Sequence, residues 1–299
     1  MSEGLGWMTR FPDAPHHRYA EQLQFLKEFP AYTTEADGDR LALWYWRGDA
    51  PQRLLLHAAP GGVTVDGDIG TAQRVFHVDA PSLLPMAALP AEPPAHRILY
   101  RRYAGIRPVL FADAFEGIAW TILGQQVTVG LAGKLKRNVA TRYGCRIDGI
   151  FGPVTLFPRP GALTAISIDD FRVLHLSRQK AETLLTITQS MHVGQWRPDV
   201  LYEQPTNAAI AELQRFRGIG QWSAEYILLR VVGHPDVLPA GDVALQRAWT
   251  RLTGATTRLG EADLRHAGEA WAGWRSDFAF YLWLDNLAIR ASRPTQNAH

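Results

Sequence analysis

Gly218 and Gly220, separated by Ile219, interrupt two stretches whose apolar residues recur at helical spacing, and Asp242 follows one helix later. Each feature has a chemistry. A glycine that follows a helix supplies a left-handed cap, and a second one lets another backbone come close. The amides opening the next helix then point outward as an anion site. A DNA phosphate gripped in this way is held by backbone N–H groups, independent of base sequence. Ile219 can plug such a turn into the core, and Arg215 and Arg217 flank it with positive charge. A plain helical corner with a glycine cap carries the same spacing. Asp242 sits just before another helical pattern, where an isolated Asp ordinarily serves as N-cap. Its place at a Gly-Asp step after Pro239, one helix beyond the glycine turn, is what favours a functional carboxylate.

Other chemistries are poorly provided for. The 10 histidines show no His-Glu-x-x-His spacing, so a catalytic metal is not expected. The single cysteine, Cys145, excludes an intramolecular disulfide, a zinc site built on several cysteines and a four-cysteine iron–sulfur cluster. It reads as a packed thiol. Hydrophobic content of 46% with 20% charged residues provides for a buried core, and no apolar run approaches the roughly 20 residues a bilayer needs. Residues 1–15 lack the apolar segment of a secretory leader. A cytoplasmic, monomeric protein is expected. Net charge is only +2, so a nucleic-acid partner must be argued from where the charges lie.

The elements that must position these residues fall into two parts. Residues 41–46, 53–57 and 74–78 are short apolar or aromatic runs bounded by turn signals, and read as strands. Residues 19–29 read as a further strand or a short helix. Five prolines between 81 and 94 mark a boundary. Beyond about residue 97 the texture is helical. Asp113 and Glu116 have capping-box spacing, and helical patterns cover 131–143, 169–176, 179–190, 206–216, 221–232, 243–253, 261–271 and 276–291. A proline-containing loop over 151–160 separates two of them. Lys134, Lys136 and Arg137 read as a solvated helix face. The expected organisation is a small mixed α/β domain over 1–96, an all-helical region over 97–291 and a tail over 292–299.

The turn and the following Gly/Pro-rich loop with its Asp resemble the helix–hairpin–helix, Gly/Pro–Asp superfamily of base-excision DNA glycosylases, and within it the 3-methyladenine glycosylase II type. The resemblance runs from about Pro108 to Trp283. It rests on Phe115-Glu116, Ile122-Leu-Gly-Gln-Gln126, Lys180-Ala-Glu182, Phe216-Arg-Gly-Ile-Gly-Gln-Trp222, Gly241-Asp242 and Trp274-Arg-Ser276. It implies a mainly α fold of two helical subdomains behind a small α+β N-terminal domain, and an enzyme of base-excision repair acting on alkylated bases in double-stranded DNA. Asp242 falls on the catalytic aspartate, Trp222, Tyr226 and Trp283 on the base pocket, and Gln126 on the residue wedged into the duplex. Gly218, Ile219 and Gly220 fall on the phosphate clamp, to which Arg217 and Lys180 add charge. No organic cofactor is implied, while backbone carbonyls of Gln214, Phe216 and Ile219 fall where a sodium or potassium ion is held.

These residue types suit that reaction. A base in a stacked duplex must rotate out, at a cost of a few kcal/mol, and a wedge in the vacated space offsets part of it. Gln126 is polar where an apolar wedge is usual; it fills the gap by hydrogen bonding, or Val127 or a nearby loop takes its place. Purine alkylation leaves a cationic base, which indole faces attract by about 1–2 kcal/mol when desolvated. A fixed carboxylate stabilises the oxocarbenium-like sugar and can orient or deprotonate the attacking water. Strand nicking would require an amine nucleophile. Position 221–223 reads Gln-Trp-Ser and no lysine follows Lys180, so a monofunctional enzyme is expected. Two alternatives stay open: a non-enzymatic DNA-binding module in which Asp242 is only a cap, and a glycosylase for a neutral lesion.

Overall fold

The computed structural model describes residues 8–12, 17–80 and 82–292; the expected tail beyond residue 292 lies outside them. Five antiparallel strands, β1 Thr9–Pro12, β2 Thr34–Asp37, β3 Arg40–Arg47, β4 Ala50–Ala59 and β5 Gly62–Gly67, stand in the spatial order β1-β5-β4-β3-β2. The near-continuous apolar run of β3 is explained by burial on both faces. Leu41, Leu43 and Tyr45 enter the main core, while Ala42 and Trp44 pack with Val154 and Leu156. Those last two belong to a small antiparallel hairpin, β6 Cys145–Asp148 and β7 Pro153–Leu156. The hairpin replaces the loop expected at 151–160, because Pro153 stands first in its strand, where a missing N–H is tolerated. Cys145 is exposed at the start of β6 rather than packed.

Residues 19–29 resolve as a helix, α1 Tyr19–Glu28, which buries Leu23, Phe25 and Leu26. Residues 74–78, expected as a strand, instead end a helix, α2 Ile69–Val75. Short apolar runs fit either state, and here the cap decides: Asp68 accepts from the Thr71 amide at 2.7 Å. The helical region comprises α3 Ala95–Tyr103, which crosses position 96, then α4 Ala114–Gly124 and α5 Val129–Tyr143. After the β6–β7 hairpin come α6 Pro160–Leu163, α7 Ile168–Val173, α8 Arg178–His192, α9 Thr206–Gln214 and α10 Gln221–Ile227. A π-helical turn, Leu228–Val232, extends α10, and α11 Val243–Thr253, α12 Glu261–Glu269 and α13 Arg275–Ser292 complete the chain.

Two cores result. One joins the inner face of the sheet to α4, α5, α8, α9 and α10; the other gathers α3, α11, α12 and much of α13. Phe280 of α13 belongs to the first core while Phe278, Tyr281 and Leu282 belong to the second, so this helix spans both. The expected capping box at α4 is half formed. Asp113 does accept from the Glu116 amide at 3.0 Å. The Glu116 carboxylate turns away, pairing with Lys136 at 2.6 Å and accepting from the Thr33 hydroxyl at 2.6 Å. Lys136 is therefore buried, contrary to the solvated face expected for it. Leaving either partner of such a buried pair alone costs about 3–5 kcal/mol, so the pair couples α4 to α5, and Thr33, just ahead of β2, bonds to both partners. No helix among the described residues is long and apolar enough to cross a membrane.

Candidate active site

The glycine turn joins α9 to α10 as the spacing predicted, and Ile219 is buried beneath it. Gly218 has φ 96°, and a Cβ there would fall 2.0 Å from Thr183 Oγ1, so both conformation and packing require glycine. Gly220 differs. Its φ is −89°, nothing in the protein lies within 4 Å of where a Cβ would be, and it is exposed. No side chain caps α10, which leaves the Gly220 end of that helix presenting its amides outward. Three hydrogen bonds unforeseen in the sequence pin the turn. Thr183 Oγ1 donates to the Arg217 carbonyl at 3.0 Å, and Gln125 Nε2 donates to the Gly218 carbonyl at 2.8 Å and to Ser223 Oγ at 3.0 Å. Arg217 is exposed beside them, whereas Arg215 pairs with Glu212 at 3.0 Å.

Asp242 does cap a helix. Its Oδ1 accepts from the Ala244 and Leu245 amides at 2.7 and 3.2 Å. Its Oδ2 accepts the indole N–H of Trp222 at 3.2 Å, so the same carboxylate also reaches the aromatic group that follows the glycine turn. Burial pushes its pKa above the ordinary carboxylate value; the Leu245 and Ala244 amides, then the Trp222 and Trp283 indoles, oppose that rise. Trp222 and Tyr226 lie 5.5 Å apart between ring centroids, and Tyr226 and Trp283 lie 5.4 Å apart. The three expected pocket residues are thus contiguous with the carboxylate. They line an open cavity of about 1210 Å³, ample for a nucleotide, between the glycine turn and the start of α11.

Gln126 stands at the mouth of this cavity, exposed, with φ 54°. A non-glycine residue in the left-handed region is uncommon and holds this side chain out on a tight turn. Lys180 is not where the sequence placed it. Its side chain is buried and its Nζ donates to the Leu123 carbonyl at 2.8 Å, at the C-terminal end of α4, where a cation is favoured. Burial lowers its pKa. Its ammonium is accordingly taken from the surface, and it is not available as a phosphate contact in this conformation. Arg247, exposed on α11 at the cavity rim, is a cation the sequence reading passed over.

The floor of the cavity was also missed. Phe25 comes from α1 and Phe29 from the cap that ends it, Trp120 from α4, and Arg230 from the π-helical turn. Trp120 donates its indole N–H to the Tyr226 hydroxyl at 3.1 Å. Arg230 is 1% exposed, donates Nε to the Val109 carbonyl at 2.9 Å and hydrogen-bonds the Tyr32 hydroxyl through Nη2. No carboxylate among the described residues pairs with it. Of the carbonyls expected to hold a monovalent ion, that of Phe216 accepts from the Ile219 amide at 3.0 Å, while those of Gln214 and Ile219 take no loop or turn amide among the described residues. Oxygen donors suited to sodium or potassium are therefore present.

Comparison with known proteins places this geometry. Residues 119–273 match the profile of the HhH-GPD superfamily base excision DNA repair protein family. The chain is 31% identical over 179 residues to DNA-3-methyladenine glycosylase 2 of Escherichia coli, covering 60% of each chain. It is 26% identical over 201 residues to DNA-3-methyladenine glycosylase of Bacillus subtilis, covering 67% of this chain and 66% of the relative. The aligned segments thus span less than two thirds of either relative. Among solved structures, 3-methyladenine DNA glycosylase from Archaeoglobus fulgidus superposes with a TM-score of 0.79 at 23% identity, over 94% of this chain and 99% of that one. The mainly helical fold with its small N-terminal sheet is shared with that solved structure. With the hairpin, the loop and the aspartate all inside the matched segment, the chain belongs to the HhH-GPD superfamily of base excision DNA repair proteins.

Proposed function

We propose that this protein hydrolyses the N-glycosidic bond of alkylated bases, of the 3-methyladenine and 7-methylguanine type, in double-stranded DNA. The observation that carries the reading is the placement of Asp242. Its carboxylate is buried, fixed by two helix amides and an indole N–H, and borders an aromatic cavity large enough for a flipped nucleotide. The names of the relatives from E. coli and B. subtilis support the substrate class.

In this reading the hairpin amides around Gly218–Gly220, with Arg217 beside them, hold a phosphate of the damaged strand. A sodium or potassium ion on the Gln214, Phe216 and Ile219 carbonyls would add positive charge there. Gln126 fills the vacated space in the duplex. Trp222, Tyr226 and Trp283 receive the base. Asp242, ionised, stabilises the sugar as positive charge develops on C1′ and accepts a proton from the attacking water. Burial raises its pKa, which makes it a better base than an exposed aspartate.

The reaction ends at an abasic site. A lyase step needs a free amine in the cavity; residues 181–299 contain no lysine, and the amine of Lys180 is held on the Leu123 carbonyl. The protein acts as a monomer on DNA in the cytoplasm, with the sheet-bearing N-terminal portion and the helical region as its two domains, divided ahead of α3 rather than at residue 96.

The test is single-turnover base release from duplex DNA carrying 7-methylguanine, comparing wild type with Asp242→Asn. Asparagine is about as good an N-cap as aspartate, so α11 keeps its start. Loss of one preorganised electrostatic group is worth a factor of roughly 10²–10³. Release by wild type, with a loss of that size in a variant that still binds DNA, is expected. Equal release by both would remove Asp242 from the chemistry, and release by neither would leave a DNA-binding module or a glycosylase for a neutral lesion.

A further inference from the structure

The site contains a second fixed charge that this mechanism does not use. Arg230 stands at the floor of the cavity with no counter-ion among the described residues, on a π-helical turn, a local distortion of the kind common at functional sites. The guanidinium is held by aromatic rings instead. Its Cζ lies 5.1 and 5.6 Å from the ring centroids of Phe25 and Phe29, and 5.8 and 5.9 Å from those of Tyr226 and Trp283. Two of those rings are the ones expected to receive the base. Their electron-rich faces thus already serve a permanent cation, which reduces what they offer to a cationic base. Trp222, the ring hydrogen-bonded to Asp242, takes no such contact. The cavity therefore has a negative group at one wall and a positive one at its floor.

We propose that Arg230 is a specificity-determining residue of the base pocket, which weakens binding of positively charged bases and assists the departure of neutral ones. The inference rests on the glycosylase reading above. When the C1′–N bond breaks, its electron pair passes to the base, and C1′, left positive, takes the oxygen of water. The water's proton goes to Asp242 and on to solvent. A 7-methylguanine that began as a cation leaves neutral. A neutral purine leaves as an anion, and solvent then protonates it. In both cases the base becomes more negative by one charge, and a cation beside it favours the step. Only the cationic base is repelled by Arg230 before the step begins. The net effect is a shift of selectivity toward neutral purines.

The experiment measures single-turnover release from two duplexes, one carrying 7-methylguanine and one carrying hypoxanthine as the neutral purine. Wild type is compared with Arg230→Met, Arg230→Gln and Arg230→Lys. The readout is the ratio of the two efficiencies, maximal rate over half-saturating enzyme concentration. In the uncharged variants that ratio rises about tenfold in favour of 7-methylguanine, the size a unit charge produces at about 10 Å with an effective dielectric near 20. Arg230→Lys restores the wild-type ratio. Arg230→Gln keeps donors for the Val109 carbonyl and the Tyr32 hydroxyl, so it serves if Arg230→Met does not fold. A variant that slows both duplexes equally, leaving the ratio unchanged, assigns Arg230 to packing alone and overturns the proposal. Wild-type release of 7-methylguanine without any of hypoxanthine overturns it too, with the glycosylase reading intact. Absence of release from either duplex refutes that reading itself.

Discussion

The two glycines of the hairpin make opposite demands, and substituting each by alanine separates folding from DNA contact. At Gly218 the new Cβ would sit 2.0 Å from Thr183 Oγ1 and 3.2 Å from Thr183 Cβ and Cγ2, on a residue at φ 96°. An L-residue in the left-handed region costs about 1–2 kcal/mol. Overpacking against a hydroxyl that also holds the Arg217 carbonyl adds about 1–3 kcal/mol. Gly218→Ala should therefore lose about 2–5 kcal/mol of stability. At Gly220 the backbone is already in a region alanine accepts, and the space beyond it is open. Gly220→Ala should gain about 0.4–1 kcal/mol by restricting the unfolded chain. Its methyl would nevertheless stand where a phosphate must approach the backbone amides, and affinity for an abasic-site duplex should fall at least tenfold, or about 1.4 kcal/mol. Urea denaturation and fluorescence anisotropy measure the two quantities. Wild-type DNA affinity in Gly220→Ala would show that the hairpin does not grip the backbone. Wild-type stability in Gly218→Ala would refute the packing argument.

Further outcomes follow from groups around the site. Arg217→Ala should lower the slope of log K against log salt by about 0.9, the value for one phosphate contact, while Lys180→Met should leave that slope unchanged; a reversed pattern would put Lys180 at the DNA after all. Burial lowers the His96 pKa to about 4, and the ring nitrogen Nδ1 accepts the Trp271 indole N–H at 2.9 Å. Its neutral form is thus favoured in the folded state, and that contribution is complete above pH 6.5 and lost as pH falls toward 4. Wild type should become less stable relative to His96→Leu between pH 7 and pH 4.5, by at most about 3 kcal/mol; a pH-independent difference in urea denaturation would contradict the assignment.

Much of the site could be read from the sequence because it is local. The glycine turn, Trp222, Tyr226 and Asp242 fall within 25 residues, and the chemistry of each is visible in its type and neighbours. What escaped is what the tertiary fold brings in. Phe25 sits on an amphipathic helix and Phe29 at its end, where a pocket-facing aromatic has the same spacing as a core one. Arg230 lies inside an apolar run and reads as a charge that must find its way to the surface; its aromatic enclosure is built from elements scattered between α1 and α13. Gln125 and Gln126 are neighbours of one type, yet one pins the hairpin and the other projects at the cavity mouth. Lys180 opens a helix, which signals positive charge but not its direction. The fold was legible in its division between strands and helices, and less so at 74–78 and 145–156, where runs too short to show periodicity were settled by a cap and by the open face of the sheet.

The contribution of α1 to the cavity floor alters what counts as a separable part of this protein. By connectivity, the sheet and α1 form an N-terminal appendage to a helical enzyme. Phe25 and Phe29 nevertheless wall the place where a base would rest, and they also enclose Arg230. Recombination that exchanged only the N-terminal portion between relatives would keep the carboxylate and the hairpin while replacing the floor. Reaction and substrate range can consequently diversify on different schedules: one travels with the hairpin and α11, the other in part with a segment that carries no group of the reaction.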